Sequence, residues 1–225
     1  MTLVTLALLT LFVVLGRWQW HRGEAKEAVW AEYERHAASV PLGSRGFDRI
    51  DRFAPIEVSG TFEPDHQFLL DNISHAGQPG YEVLTSFLLS DGRRVLVNRG
   101  WVPFTGYRDR LPDVSMTADA PSIIAGRVDE LPSGGLASGH SAPDNHATWP
   151  RVTSFPTHDE LQASLGKTLE PRILLLDPQV PDGYVREWSP PGMPPSRHFS
   201  YAIQWWGFAA VLLVLYFGLN FRKVS

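Results

Sequence analysis

The eight histidines are the first residues to test for chemistry, because the chain contains no cysteine. His198 stands out among them, since it precedes an uncharged apolar stretch and, on a helix, shares a face with Tyr201 and Trp205. A neutral imidazole is a good axial ligand for heme iron, and aromatic neighbours suit a porphyrin plane. The alternative is an interfacial histidine that marks the edge of a membrane span, and the spacing alone favours this alternative.

The other candidates for a chemical site are weaker. His140 and His146 share a loop with Asp144, but their spacing matches no known metal geometry, and we expect solvated loop histidines. The absence of cysteine excludes disulfides, thiolate metal sites and cysteine nucleophiles. The sequence carries no phosphate-binding glycine loop, nucleophile elbow or HExxH helix.

A membrane-tethered enzyme would need a convergent polar pocket, for which Asp71, Asn98 and Arg99 are the available residues. We prefer the interpretation that Asn98 and Arg99 stabilise the turn before Trp101. We therefore expect no catalytic residue and no enzymatic activity.

The composition of the chain excludes nucleic-acid binding and shows that its ends differ from its middle. With 225 residues, a formal net charge of −4 and a pI near 6.0, the protein is not basic enough to bind nucleic acid. Apolar residues are concentrated at the two ends, whereas the middle carries nearly all the charge. This asymmetry is typical of a polar domain held between two apolar segments.

Both ends of the sequence predict transmembrane helices. Residues 199–219 carry no formal charge and are long enough, as a helix, to span the hydrocarbon core. The apolar run at residues 2–15 is shorter, but Trp18 and Trp20 extend it to an interfacial aromatic belt. No small-x-small cleavage site follows this run, so we expect an anchor and not a cleaved signal peptide.

The orientation in the membrane follows from the basic residues that flank the spans. Arg222 and Lys223 place the C-terminus in the cytoplasm by the positive-inside rule, and two spans then put the central domain outside. Arg17, Arg22 and Lys26 lie on the outer side in this topology and oppose it.

The segment between the spans predicts a mainly antiparallel β (α+β) domain. Short β-rich runs are separated by Gly, Pro, Asn and Asp, without crossover helices between them. Asp91-Gly92 predicts a two-residue hairpin turn, and Thr157 to Glu160 predicts a capped helix that ends at Gly166. The predicted strands are Arg52–Thr61, Gln67–Leu70, the hairpin Tyr81–Val102, Ser122–Val128, His146–Phe155, Arg172–Leu176 and Tyr184–Glu187.

These signals together predict the following organisation of the chain. A first transmembrane helix occupies residues 1–20 and continues as a helical stalk over residues 21–40. The mostly β soluble domain covers residues 41–182, and a Pro-rich linker covers residues 183–198. The second transmembrane helix occupies residues 199–219, and a cytoplasmic tail covers residues 220–225.

Three segments, in this order, resemble the signatures of a known family. They are LGRWQWHR at Leu15–Arg22, VLVNRGWVP at Val95–Pro103 and RHFSYAIQWWGFA at Arg197–Ala209. Each is similar to an element of the Surfeit-locus family of cytochrome c oxidase assembly factors, and Gly60-Thr61-Phe62 resembles the G-x-F element of that family. The loop at Ser133–His146 has no counterpart in this resemblance.

The resemblance implies assembly of an oxidase and not catalysis. Family members lie in the bacterial plasma membrane or the mitochondrial inner membrane, with the domain on the outer side. The resemblance further implies heme a binding, which is reported for some bacterial members with the histidine that opens the second span implicated; the matching position here is His198. By this resemblance the protein is a multi-pass protein of the bacterial plasma membrane that contacts lipid, cytochrome c oxidase subunits and heme a synthase.

Two functions remain open at this stage. In the first, the protein is a heme-handling chaperone in which His198 holds iron transiently, Tyr201 and Trp205 line the ring, and Arg197 pairs with a propionate. In the second, it is a non-heme scaffold or an accessory subunit of a respiratory supercomplex, and the Trp-rich faces are interface anchors.

Overall fold

The computed structural model describes residues 2–35, 40–42, 46–116, 122–134, 139–190 and 192–220. The chain divides into two compact units: the helix unit, Met1–Arg35 with Ser189–Ser225, and the β domain, His36–Trp188. The elements, in chain order, are α1 (Thr2–Arg35), β1 (Val40–Pro41), a 3-10 turn (Phe47–Arg49), β2 (Pro55–His75), β3 (Gln78–Leu89), β4 (Arg94–Pro103), β5 (Ser122–Asp129), β6 (Arg151–Thr153), α2 (His158–Leu165), β7 (Ile173–Leu176) and α3 (Pro195–Asn220).

The helix unit consists of two helices that are each long and apolar enough to cross a membrane. α1 continues for 34 residues, and α3 has 26 residues and begins at Pro195, inside the segment that the sequence assigns to the linker. Few of their side chains are buried, unlike those of a helix in the core of a soluble protein. Arg222 and Lys223, on which the predicted orientation depends, lie outside the described residues, as do residues 36–39 of the predicted stalk.

α1 and α3 pack antiparallel along one heptad seam. Thr2 Oγ1 lies 3.1 Å from Tyr216 OH at one end, and Gly23 lies against Phe199 at the other. The least exposed positions alternate at spacings of four and three, as in a coiled coil. They are Thr5, Leu9, Phe12, Gly16, Gln19 and Gly23 on α1, and His198, Ala202, Trp205, Ala209, Leu212 and Tyr216 on α3.

The β domain is a sheet that closes on itself. β2 pairs with β3, β3 with β4, β4 with β7, β7 with β5, and β5 pairs back with β2. Most of these pairings are antiparallel, whereas β1–β2, β4–β7 and β2–β6 are parallel. The predicted fold class, two apolar terminal helices that flank a mainly antiparallel β domain, is therefore confirmed.

One long strand makes the closure possible. The two predicted strands Arg52–Thr61 and Gln67–Leu70 are parts of a single strand, β2, which is bent by irregular register between Glu63 and Gln67. Gly60 pairs with Ser122 of β5 and with Leu89 of β3, so β2 has neighbours on both edges there. A Cβ atom on Gly60 would lie 2.2 Å from the carbonyl oxygen of Leu88, which explains the glycine at this crowded position.

Three local predictions have different outcomes. The hairpin forms, but its connection is Ser90–Gly92: the Gly92 N–H bonds Leu89 O at 2.9 Å, and Gly92 has a φ of +89°. The helix at His158–Leu165 has the predicted capping box and ends at Gly166. The predicted strand Tyr184–Glu187 is wrong, since only an isolated bridge between Val185 and Trp101 forms there.

The described residues of the domain form three buried apolar clusters, of which the two largest lie inside the closed sheet and under α2. Phe62, Phe87 and their aliphatic neighbours fill the space enclosed by the closed sheet. On the outer face, Leu161 and Leu165 of α2 pack against Phe68 and Leu84. The domain therefore has the packed interior that a chain without disulfides requires.

Candidate functional site

The helix unit brings His198 of α3 against Gln19 of α1. The imidazole Nδ1 lies 2.9 Å from the side-chain oxygen of Gln19, and only 7% of the His198 surface is exposed. An amide oxygen only accepts hydrogen bonds, so Nδ1 carries a proton and donates it to Gln19. In a neutral imidazole that donates through Nδ1, the lone pair lies on Nε2, which is the atom that could bind iron.

Two glycines of α1 set the distance between the helices on either side of this hydrogen bond. A Cβ atom on Gly16 would lie 2.3 Å from Nε1 of Trp206, and one on Gly23 would lie 2.6 Å from the ring of Phe199. Small residues allow helix backbones to approach closely in membranes. The two glycines precede and follow Gln19 by about one turn, and their spacing therefore permits the bond to His198.

Aromatic rings contact one another along the helix pair. Trp20 lies with its ring centroid 4.8 Å from that of Phe199 and 5.6 Å from that of Trp206. Further along the seam, Trp205 stacks on Phe12 at 5.7 Å. Phe12 and Trp205 fill the seam, whereas Trp20 and Trp206 are exposed on its flank, so a porphyrin would have to reach His198 from the flank of the helix pair.

The structure separates the four residues that the sequence assigns to heme. His198 and Trp205 both lie on the seam, but two helical turns apart, which is about 10 Å along the axis. Tyr201 and Arg197 are exposed on the outside of the helix pair, where they remain free to contact a bound group. Phe199 follows His198 along α3, and Trp20 follows Gln19 along α1 and contacts Phe199, whereas the assignment of Tyr201 and Trp205 as the lining stays a prediction.

The donor chemistry of the helix unit fits a single axial ligand. Its other histidine, His21, has both nitrogens engaged, since Arg17 Nε lies 3.3 Å from Nε2 and Glu24 Oε2 lies 2.9 Å from Nδ1. His198 Nε2 has no hydrogen-bond partner among the residues that the structure describes. No group of three or more potential metal-binding side chains occurs in the described ranges.

The polar residues of the β domain that an enzyme would use do not converge. Asn98 Oδ1 accepts a bond from the Gly100 N–H at 3.1 Å, and Asp71 pairs with Arg108. The Arg99 guanidinium, 2% exposed, donates to the backbone oxygens of Asp182 and Val114 and to Gln67. Asp71, Asn98 and Arg99 therefore each bond different neighbours and do not form one common pocket.

His140 is exposed in a loop, as the sequence predicts, but both of its ring nitrogens face acceptors. Its Nδ1 lies 3.1 Å from the Phe155 carbonyl oxygen, and its Nε2 lies 3.0 Å from Glu160 Oε1 at the start of α2. Both partners only accept, so both nitrogens donate when the ring is protonated. The bond to Phe155, reinforced by Glu160, raises the pKa of His140 above its usual value.

A pH dependence of stability follows from this contact. Because the pKa of His140 is higher in the folded than in the unfolded protein, the protonated ring stabilises the fold fully below the unfolded-state pKa of about 6.5. This stabilisation is lost as the pH rises through the folded-state pKa. We expect His140→Gln to lower the urea midpoint of unfolding more at about pH 5.5 than at about pH 8.5. His146→Gln is the control, because its side chain bonds no described residue. Equal losses at both pH values would contradict the assignment.

The sequence analysis missed Gln19 and the two glycines beside it. Gln204, the amide within the second apolar stretch, is exposed and bonds none of the described residues. The spacings of three and four between Gly16, Gln19 and Gly23 do indicate a packing face on α1. However, no nearby residue indicates that this face packs against a helix about 180 residues further along the chain.

The chain has two apolar terminal helices with a closed β domain between them, which is the architecture of a small membrane-associated protein. Similarity to known proteins gives its family. The SURF1 family model matches residues 6–210. A SURF1-like protein from Rickettsia felis (strain ATCC VR-1525 / URRWXCal2) is 24% identical over 226 residues, covering 95% of this chain and 94% of that protein. The chain belongs to the SURF1 family, which is known generally as a family of cytochrome oxidase assembly factors and not as an enzyme class.

Proposed function

We propose that this protein assists the insertion of heme a into the catalytic subunit of cytochrome c oxidase, or the maturation of that subunit. In this proposal heme a is a cargo, which supplies the redox iron of the finished oxidase. The observation that carries the proposal is His198, an imidazole buried in the helix seam with one nitrogen fixed by Gln19 and the other without a partner among the described residues. A single protein ligand suits release of the cargo better than a closed two-histidine site.

The proposed topology places this site near a membrane surface. Trp18, Trp20, Tyr201 and Trp206 lie at the same end of the antiparallel helix pair, as an interfacial aromatic belt does. We propose that both helices span the bacterial plasma membrane and that the β domain is extracytoplasmic. His198 then lies at the outer boundary of the membrane, where a lipid-soluble porphyrin is accessible.

The proposed partners are cytochrome c oxidase subunits and heme a synthase, together with the membrane lipid. Arg197, exposed at the start of α3, is available to pair with a propionate. Exposed tryptophans of the helix unit, such as Trp18, are available as anchors for a partner helix.

The test is hemin binding to the full-length protein in detergent, followed by its Soret absorbance. We expect one hemin per wild-type chain, and a loss of affinity of about tenfold or more in both His198→Ala and His198→Gln. The second variant keeps a side chain that can bond Gln19, so it separates loss of the ligand from loss of packing. His21→Ala is the control and should bind as the wild type does. Unchanged binding by both His198 variants would remove the proposal.

The scaffold function makes the opposite prediction for the same preparation. A protein that is colourless after expression in cells that make heme a, and that binds no added hemin while oxidase subunits co-purify with it, would act as a scaffold or accessory subunit. The exposed aromatic surface of the helix unit is compatible with that function.

A further inference from the structure

Gln19 contacts one of the two ring nitrogens of His198. The side-chain oxygen of Gln19 faces Nδ1 at 2.9 Å, and this oxygen has no proton to give. A neutral imidazole in this contact must be the Nδ1–H tautomer, which leaves Nε2 as the basic nitrogen. With the opposite orientation of the amide, its NH2 group would donate to Nδ1, and the proton would lie on Nε2.

We propose that Gln19 is a positioning residue that holds His198 in the Nδ1–H tautomer and thereby makes Nε2 the nitrogen offered to an iron porphyrin. The inference rests on the proposed function for the identity of the cargo, but the tautomer is a property of the protein alone. A partner that bonds the second nitrogen of a ligand histidine fixes its ring orientation and raises its basicity.

The surroundings of the pair favour a fixed hydrogen bond. His198 is 7% exposed, so water competes little for Nδ1. Gly16 and Gly23, about one turn before and after Gln19, lie in close contact with the rings of Trp206 and Phe199. This close packing restricts movement of the two helices relative to each other. The contact therefore joins two packed backbones and not two mobile surface side chains.

Two charged groups of α1 near Gln19 are engaged with other side chains. Arg17 donates to His21, and Glu24 accepts from Trp20 Nε1 at 2.9 Å and faces His21 Nδ1. Among the described residues, Gln19 is the only side chain that bonds His198. The proposed effect on the His198 tautomer therefore depends on Gln19 alone, and one substitution of Gln19 can test it.

The first measurement uses the heme-free, full-length protein in nanodiscs with ring-15N-labelled histidine. The His198 signals are assigned by comparison with His198→Gln. We expect a protonated Nδ1 and an unprotonated Nε2 in the wild type, and a redistribution of the proton between the two nitrogens in Gln19→Leu. Gln19→Glu keeps the acceptor and should retain the wild-type tautomer. A protonated Nε2 in the wild type would overturn the inference.

The second measurement titrates the same variants with hemin. We expect Gln19→Leu to bind about tenfold more weakly or worse, and Gln19→Glu to restore binding with a lower reduction potential of the bound iron. Gln204→Leu is the matched control, because this glutamine of α3 is exposed and has no described partner.

The outcomes separate the two proposals. If hemin binds through His198 but Gln19→Leu changes neither the tautomer nor the affinity, Gln19 only ties the helices together, and the inference fails while the proposed function stands. If the tautomer is as expected but neither the wild-type protein nor any variant binds hemin, the proposed function fails.

Discussion

Replacing Arg99 with methionine is expected to lower the free energy of unfolding of the β domain by about 3 kcal/mol or more. The guanidinium donates to Asp182 O at 2.7 and 2.9 Å, to Gln67 Oε1 at 3.1 Å and to Val114 O at 3.3 Å. Methionine fills much of the same volume but donates nothing, so the buried Val114 oxygen loses this donor, the Asp182 oxygen loses two bonds, and Gln67 Oε1 keeps only its bond from Thr85. A buried acceptor left without a donor costs about 1–3 kcal/mol, and a lost bond to a charged group costs about 1.5–3 kcal/mol.

Arg99 is unusual because the partners of its charge are neutral oxygens. Burial lowers the pKa of Arg99, and the nearby groups of Tyr184 and Asp182 only partly oppose this. The ring of Tyr184 lies 5.0 Å from the guanidinium carbon and adds a cation–π contact. Lysine cannot reach these acceptors with the planar fork of arginine, so Arg99→Lys should also destabilise the domain.

The measurement is urea unfolding of the full-length protein in detergent, followed by the β-sheet circular dichroism signal. The matched control is Arg49→Met, because Arg49 is 82% exposed and its nearest carboxylate lies 3.9 Å away. We expect this control to shift the free energy of unfolding by no more than about 0.5 kcal/mol. Equal effects of the two substitutions would show that Arg99 does not tie the domain together.

Gly16→Val is expected to separate the helices of the helix unit, at a cost of about 1–3 kcal/mol. The first added carbon already falls 2.3–2.9 Å from three atoms of the Trp206 ring, and that ring also packs on Trp20. The indole cannot stay in place, so α3 must move away or the exposed Trp206 ring must rotate outward. A movement of α3 stretches the bond between Gln19 and His198.

The absence of native cysteine allows the helix separation to be measured directly. Spin labels at Leu3→Cys and Leu219→Cys, both strongly exposed, report the distance between the helices in nanodiscs. We expect one narrow distance distribution in the wild type and a broader, longer one in Gly16→Val. Gly207→Val is the matched control, since a Cβ atom on Gly207 would meet no atom within 4 Å, and the distribution should stay narrow.

Local signals in the sequence predicted the parts of the fold that depend on a few neighbouring residues. The capping box at Thr157 and Glu160 is an example, because both hydrogen bonds form within four residues. The apolar ends are another, since length and the absence of charge suffice to predict a span. The turn near Gly92 was predicted, but its length was not, because flanking strands set the register.

Long-range pairing explains what the sequence did not predict. Pro64 and the acidic residues beside it resemble a break between two strands, yet β2 continues through them because different partners take over along its edges. The candidate site shows the same limit. His198 was identified from its own neighbours, whereas Gln19 became visible only when the register of two distant helices was known.

The central claim, that His198 handles heme a for the oxidase, is tested most directly in cells that lack this protein. The measurement is the heme a absorbance of the assembled cytochrome c oxidase in isolated membranes, after complementation with wild-type protein, His198→Gln or the control His21→Ala, at matched protein levels. We predict that the wild type and His21→Ala restore the heme a band and that His198→Gln restores little of it. Full restoration of the band by His198→Gln would contradict the account.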